Sequence, residues 1–176
     1  MIVLKHPLSI DFSWQSSLSE LSVPAALKPV LSDTGSLTER LKQKSADFKV
    51  VVLNEQPITA KLWGETAHDY ICREVLLYCD EVVQVYAQSW ISIPACEKGV
   101  EQLGDTPLGE VLFQNELWQR SELEMAEVES REELAQLLKR SDITRMPIFA
   151  RRRIFSQSEA HVMVCEVFLP EVLDAA

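Results

Sequence analysis

The stretch Asp69-Tyr70-Ile71-Cys72-Arg73-Glu74-Val75-Leu76-Leu77-Tyr78-Cys79 decides how the rest of the chain is read. It mixes β-branched, aromatic and other apolar residues, holds neither Gly nor Pro, and reads as a strand. Successive side chains of a strand point to opposite faces. Ile71, Arg73, Val75 and Leu77 therefore share one face, and Cys72, Glu74, Leu76 and Tyr78 share the other. Both faces are partly apolar, which marks a central strand covered on two sides. Glu81 to Ile93 reads as the next strand of a hairpin with it.

Upstream, Phe48 to Asn54 is apolar and β-branched and predicts another strand. Ser36 and Glu39 stand three apart in Ser36-Leu37-Thr38-Glu39, a capping box, so a helix should begin there and run to about Lys44. Ser22 to Leu31 reads as a short helix interrupted by Pro24 and Pro29, and Asp33-Thr34-Gly35 as a turn. Downstream, Thr106-Pro107-Leu108-Gly109 opens a helix to about Phe113, with Thr106 as cap and Pro107 in the first helical position. Glu122 to Val128 alternates loosely, as a strand does. Ser130-Arg131-Glu132-Glu133 is a second capping box, opening a helix to about Arg140. Strands over Arg151 to Ser156 and Ala160 to Leu169 follow, joined at Gln157-Ser158-Glu159. The pattern predicts an α+β fold in one domain over residues 1–176: a single antiparallel sheet with helices packed against it.

Composition narrows the function classes. Lys+Arg number 17 against 27 Asp+Glu, a net charge of −10, which argues against nucleic acid as a partner because phosphate binding needs a basic face. Apolar residues make up 47% and charged residues 25%, the balance of an ordinary globular chain. No apolar run approaches the length of a membrane helix, and Met1 to Phe12 makes a poor signal peptide. A cytoplasmic protein without a membrane span is the expectation, and we take it to be a monomer. Cys72, Cys79, Cys96 and Cys165 form no C-x-x-C pair, and His6, His68 and His161 are scattered, so no metal-ligand spacing exists. Cys72, Cys79 and Cys165 lie in apolar stretches and read as small buried hydrophobes.

Three features point to an anion pocket. Arg73 lies mid-strand among apolar residues, where a guanidinium is costly unless an anion meets it: a protein carboxylate or a ligand carboxylate. The helix starts at Leu37 and Leu108 each offer free backbone N–H groups. Glu166 sits mid-strand in Val162 to Leu169, where it is either satisfied by a neighbour or held protonated and able to donate. The run Arg151-Arg152-Arg153 reads first as a solvated strand edge that discourages sheet pairing. Arg151 and Arg153 share a strand face, so the alternative is that they steer an anionic substrate inward.

Five segments in order resemble the chorismate lyase (chorismate pyruvate-lyase) family. They are Gly35 to Arg40, Tyr70 to Leu77, Leu103-Gly104-Asp105-Thr106-Pro107-Leu108-Gly109, Ala150 to Phe155, and Cys165-Glu166-Val167-Phe168-Leu169-Pro170. The likeness spans about residues 22–170. It implies a single-domain antiparallel fold with an enclosed site and cleavage of chorismate to 4-hydroxybenzoate and pyruvate, the entry step toward ubiquinone, with no cofactor. It also implies that Arg73 and the backbone amides of Leu37 and Leu108 hold the ring carboxylate, while Glu166 meets the hydroxyl end; Arg73 and Glu166 are the catalytic candidates. Two departures stand out. Where such proteins carry a basic residue on the hairpin strand, this chain has Gln88, and Arg151 or Arg153 would have to supply the charge. The helix near residues 130–140 looks inserted, as a lid or as surface decoration. The alternative is a non-catalytic, effector-sensing module for small aromatic acids, since the same fold serves transcription regulators.

Overall fold

The computed structural model describes residues 4–62, 64–100 and 103–172. Seven strands form one antiparallel sheet: β1 Phe48–Ala60, β2 His68–Cys79, β3 Val82–Ser92, β4 Gln119–Arg120, β5 Glu124–Glu127, β6 Phe149–Gln157 and β7 Ala160–Phe168. The order is β1-β2-β3-β7-β6-β4, with β5 also paired to β6. The predicted α+β class and antiparallel sheet are thus present. β2 is indeed central, and its middle residues from Cys72 to Leu77 are buried on both faces.

Tight turns set the registers. Asp80 and Glu81, both in the left-handed backbone region, close the β2–β3 hairpin. Ser158, also left-handed, turns β6 into β7. β1 runs six residues past the predicted end at Asn54. Pro57 there is tolerated because β1 is an edge strand, with only β2 beside it.

Helices α1 Lys28–Leu31, α2 Leu37–Lys44, α3 Ile93–Ala95, α4 Leu108–Gln114 and α5 Glu132–Leu138 complete the frame. α2 begins and ends as its capping box predicts: Ser36 Oγ accepts from the Glu39 N–H at 3.3 Å. α4 starts one residue later than expected, with Pro107 rather than Thr106 at the cap. The second capping box does not form. Ser130 Oγ donates instead to Asp11, and Glu133 accepts from the Ser9 N–H, so both side chains secure the N-terminal segment.

The two sheet faces carry different cores. On one, α1 and α2 press Leu27, Val30, Leu31, Leu37 and Leu41 against Val75, Leu77, Ala87 and Phe168. Leu108 and Leu112 of α4 pack beside them on Ile91, Phe155 and Val162. On the other face, residues 4–15, α5 and Ile143–Ile148 cover Leu76, Tyr86, Ala150 and Val167. The α5 helix is therefore neither lid nor decoration: Leu134 is completely buried in this second core.

Candidate active site

The first face is not wholly filled. Between the sheet and the N-terminal ends of α2 and α4 lies a cavity. Its lining takes in Leu37, Arg73, Leu108 and Glu166, the four residues the sequence singles out, together with Arg151 and Arg153.

The strand register lays out the floor. One row across the sheet reads Arg73, Ser89, Val164, Arg153. The next reads Val75, Ala87, Glu166, Arg151. Guanidiniums stand at both ends of the first row, and small side chains lie between them. The arginine run is thus no solvated edge. Arg151 and Arg153 are buried, because β4 and β5 pair with β6 on its outer side. Arg152, on the opposite face, pairs with Glu124 at 2.7 Å and stacks over Trp14.

The roof is made by two helix starts. Leu37 and Leu108 are the first residues of α2 and α4, where N–H groups lack intrahelical acceptors. The two ends lie close together: a Cβ on Gly109 would stand in ordinary contact with Thr38 Oγ1, at 3.6 Å. Lys42 bridges to Glu110 at 2.8 Å and ties the helices together.

Each buried charge can be followed to its partners. Arg73, only 3% exposed, donates to Glu55 at 2.7 Å and to the Gly104 carbonyl at 2.6 Å, with a longer contact to the Thr106 carbonyl. The protein carboxylate foreseen for Arg73 is therefore Glu55. Guanidinium carries more donors than these contacts use, so Arg73 is placed and still able to bind. Arg151 Nε donates to Glu166 Oε2 at 2.6 Å, and its Nη1 to the carbonyls of Val30 and Asp33. Glu166 is accordingly satisfied by a neighbour. Arg153 Nη1 donates to the Thr34 carbonyl at 2.9 Å. The Asp33-Thr34-Gly35 turn thus holds both arginines by its backbone. Asp33 itself binds Arg40 at 2.9 Å. Burial works against the Asp33 carboxylate, but the Gly35 N–H and Arg40 outweigh it and hold its pKa below the ordinary value.

Gln88 is not part of this site. It faces the opposite side of the sheet, donating to the Leu8 carbonyl at 2.9 Å and to the Tyr86 hydroxyl at 2.8 Å. The β3 residue on the cavity face of that row is Ser89. The cysteines hold no reactive position either. Cys72, Cys79 and Cys165 are buried free thiols, and burial, with Glu74 adding its charge, pushes Cys72 up to about 12. Among the described residues no cluster of His, Cys, Asp and Glu is suited to a metal ion, and no helix is long and apolar enough to cross a membrane.

Sequence reasoning did not find Glu55, or Arg151 as the partner of Glu166. The second was within reach: a tight turn at Ser158 sets Arg151 opposite Glu166. The first was not, because the apolar, β-branched run that marks β1 stops at Asn54.

The site is thus an arginine-lined cavity between one face of a two-faced antiparallel sheet and the helices that cover it. Solved structures share this fold. The effector domain of PhnF from Mycobacterium smegmatis matches with a TM-score of 0.56 at 16% identity, over 79% of this chain and 91% of that one. The ligand-binding domain of a putative GntR-family transcriptional regulator from Bordetella bronchiseptica matches with a TM-score of 0.54 at 14% identity, over 72% and 88%. At such identities the likeness speaks for fold alone. Sequence is more specific. The chorismate lyase family profile matches residues 9–176. A probable chorismate pyruvate-lyase of Pseudoalteromonas translucida (strain TAC 125) is 34% identical over 175 residues, covering 96% of this chain and 97% of that one. Another, from Idiomarina loihiensis, is 38% identical over 143 residues, covering 77% and 74%. The chain belongs to the chorismate lyase family, and it is an enzyme of the lyase class.

Proposed function

We propose that this protein cleaves chorismate to 4-hydroxybenzoate and pyruvate, the entry step toward ubiquinone. The observation that carries the reading is that one cavity gathers Arg73, the first residues of two helices and Glu166. In this reading Arg73 and the amides of Leu37 and Leu108 hold the ring carboxylate. Glu166, held by Arg151, accepts a hydrogen bond from the ring hydroxyl and orients the opposite end. The bond between the ring and the ether oxygen breaks, the hydroxyl-bearing ring carbon gives up its hydrogen, and the enolpyruvyl fragment gains one to leave as pyruvate. Aromatisation supplies the driving force, so the reading calls for no cofactor. The protein's task is positioning and stabilisation of the charge that develops on the departing oxygen. One copy of the chain supplies every group named, which fits a monomer working in the cytoplasm on a small-molecule substrate.

The direct test mixes the purified protein with chorismate alone and measures both products. Equal amounts of 4-hydroxybenzoate and pyruvate, formed well above the spontaneous rate, are expected. Absence of turnover overturns the reading, and tight 4-hydroxybenzoate binding without turnover makes the protein a sensor. Arg73→Ala should weaken 4-hydroxybenzoate binding by about 1.5–3 kcal/mol, the contribution of a charged hydrogen bond. Titration calorimetry giving equal affinity for variant and parent would remove Arg73 from the site.

A further inference from the structure

We propose that Arg153 is the anchor for a second carboxylate of the substrate, so that the site is built for a dianion gripped at both ends of one sheet row. The inference rests on the lyase reading for the identity of that substrate, but its evidence is independent of it. Arg73 and Arg153 terminate the same row, with Ser89 and Val164 between them. Three strand spacings separate the two backbones, about 14 Å. Anchors that far apart suit two anionic groups on one ligand better than one carboxylate shared between them.

The partners of the three arginines on the cavity face of the sheet, Arg73, Arg151 and Arg153, differ in a telling way. Arg73 has Glu55, and Arg151 has Glu166. Arg153 has no carboxylate in ion-pair contact among the described residues, although it is only 8% exposed. Its Nη1 is taken by the Thr34 carbonyl, while its Nε is buried and without a hydrogen-bond partner. A buried, unmatched guanidinium donor is costly, and fixed positive charge beside a small-molecule cavity is matched when an anion enters. The surroundings add to this. Burial pulls the Arg153 guanidinium below its ordinary range, Arg151 and Arg120 add like charge, and Glu166 and Glu122 offset only part of it. The intervening Ser89 and Val164 are too short to block a ligand lying along the row.

The test compares two stable ligands: 4-hydroxybenzoate, with one carboxylate, and 3-(carboxymethoxy)-4-hydroxybenzoate, which keeps the para hydroxyl and adds an ether-linked carboxylate on the neighbouring ring carbon, where the ether of chorismate stands. Arg153→Gln should lower affinity for the dicarboxylate at least tenfold and leave 4-hydroxybenzoate within about twofold. In turnover it should raise KM for chorismate at least tenfold, with a much smaller change in kcat. Arg153→Lys, which keeps the charge but loses the fork, should show a two- to fivefold loss for the dicarboxylate alone; it carries the test if the Gln variant does not fold. Equal loss for both ligands, no loss for either, or failure of the parent protein to bind the dicarboxylate each overturns the assignment. If the parent does not turn over chorismate yet the two ligands separate as expected, the lyase reading falls and the role of Arg153 stands.

Discussion

Replacing Glu166 by Gln is expected to lower kcat for chorismate about 100-fold while changing the Kd for 4-hydroxybenzoate only a few-fold. The shape of the side chain is kept, but its charge is lost. Two things then go wrong at once. In the proposed reading the ring hydroxyl loses its charged acceptor, and Arg151 loses the carboxylate that receives its Nε at 2.6 Å. The Val30 and Asp33 carbonyls still hold Arg151, so the cavity wall should keep its place. A misplacement of about 1 Å at a reacting centre is enough to cost about 100-fold in rate. Single-turnover measurements with excess enzyme separate this from slow product release. An unchanged single-turnover rate would show that Glu166 neither donates to the reacting atoms nor orients them.

Glu74→Ala is expected to leave the cavity intact and to cost about 3–5 kcal/mol of stability, the penalty for breaking a buried charged network. Glu74 is 0% exposed and faces away from Arg73 although the two are neighbours in the chain. It accepts from the Leu8 N–H at 2.8 Å, from the Tyr86 hydroxyl, and pairs with His6 Nδ1 at 2.7 Å. Burial, and then the charge of Glu74, keep the Tyr86 phenol protonated far beyond its ordinary range, so it remains a donor. Removing the carboxylate strands that hydroxyl and a backbone N–H inside the sheet. For a chain of this size the melting temperature should fall by roughly 6–20 °C. Denaturant unfolding at constant m-value is the measurement, and a loss below about 1 kcal/mol would mean that water replaces the carboxylate.

The frame was legible where local chemistry acts alone. The Ser36–Glu39 spacing gave α2, and the alternation around Arg73 and Glu74 gave a central strand with two covered faces. Glu166, Arg73, Leu37 and Leu108 do converge on one cavity. What was hidden depended on pairing at a distance. β5 lies within the strand predicted over Glu122 to Val128, and β4, at two residues, is too short to announce itself; that both lie beside β6 and so bury the arginine run is set by pairing, not by local pattern. Glu55 belongs to the far half of an edge strand, past the apolar, β-branched run from Phe48 to Asn54 that marks it. Gln88 seemed to belong to the site until register placed its neighbour Ser89 on the cavity face. Ser130 and Glu133 had better partners in the N-terminal segment than in their own helix.

That N-terminal segment has a consequence for how the chain reaches its final form. The Leu8 N–H waits for Glu74, 66 residues later, and the Ser9 N–H for Glu133, 124 residues later. Phe12 and Gln15 bridge to Val128 and Met125. Every one of these docking partners leaves the ribosome well after the residues it receives. Contacts so distant in sequence slow folding because the loop must close before any of them forms. The segment emerges early and docks late, and until it does Glu74 lacks both His6 and the Leu8 N–H.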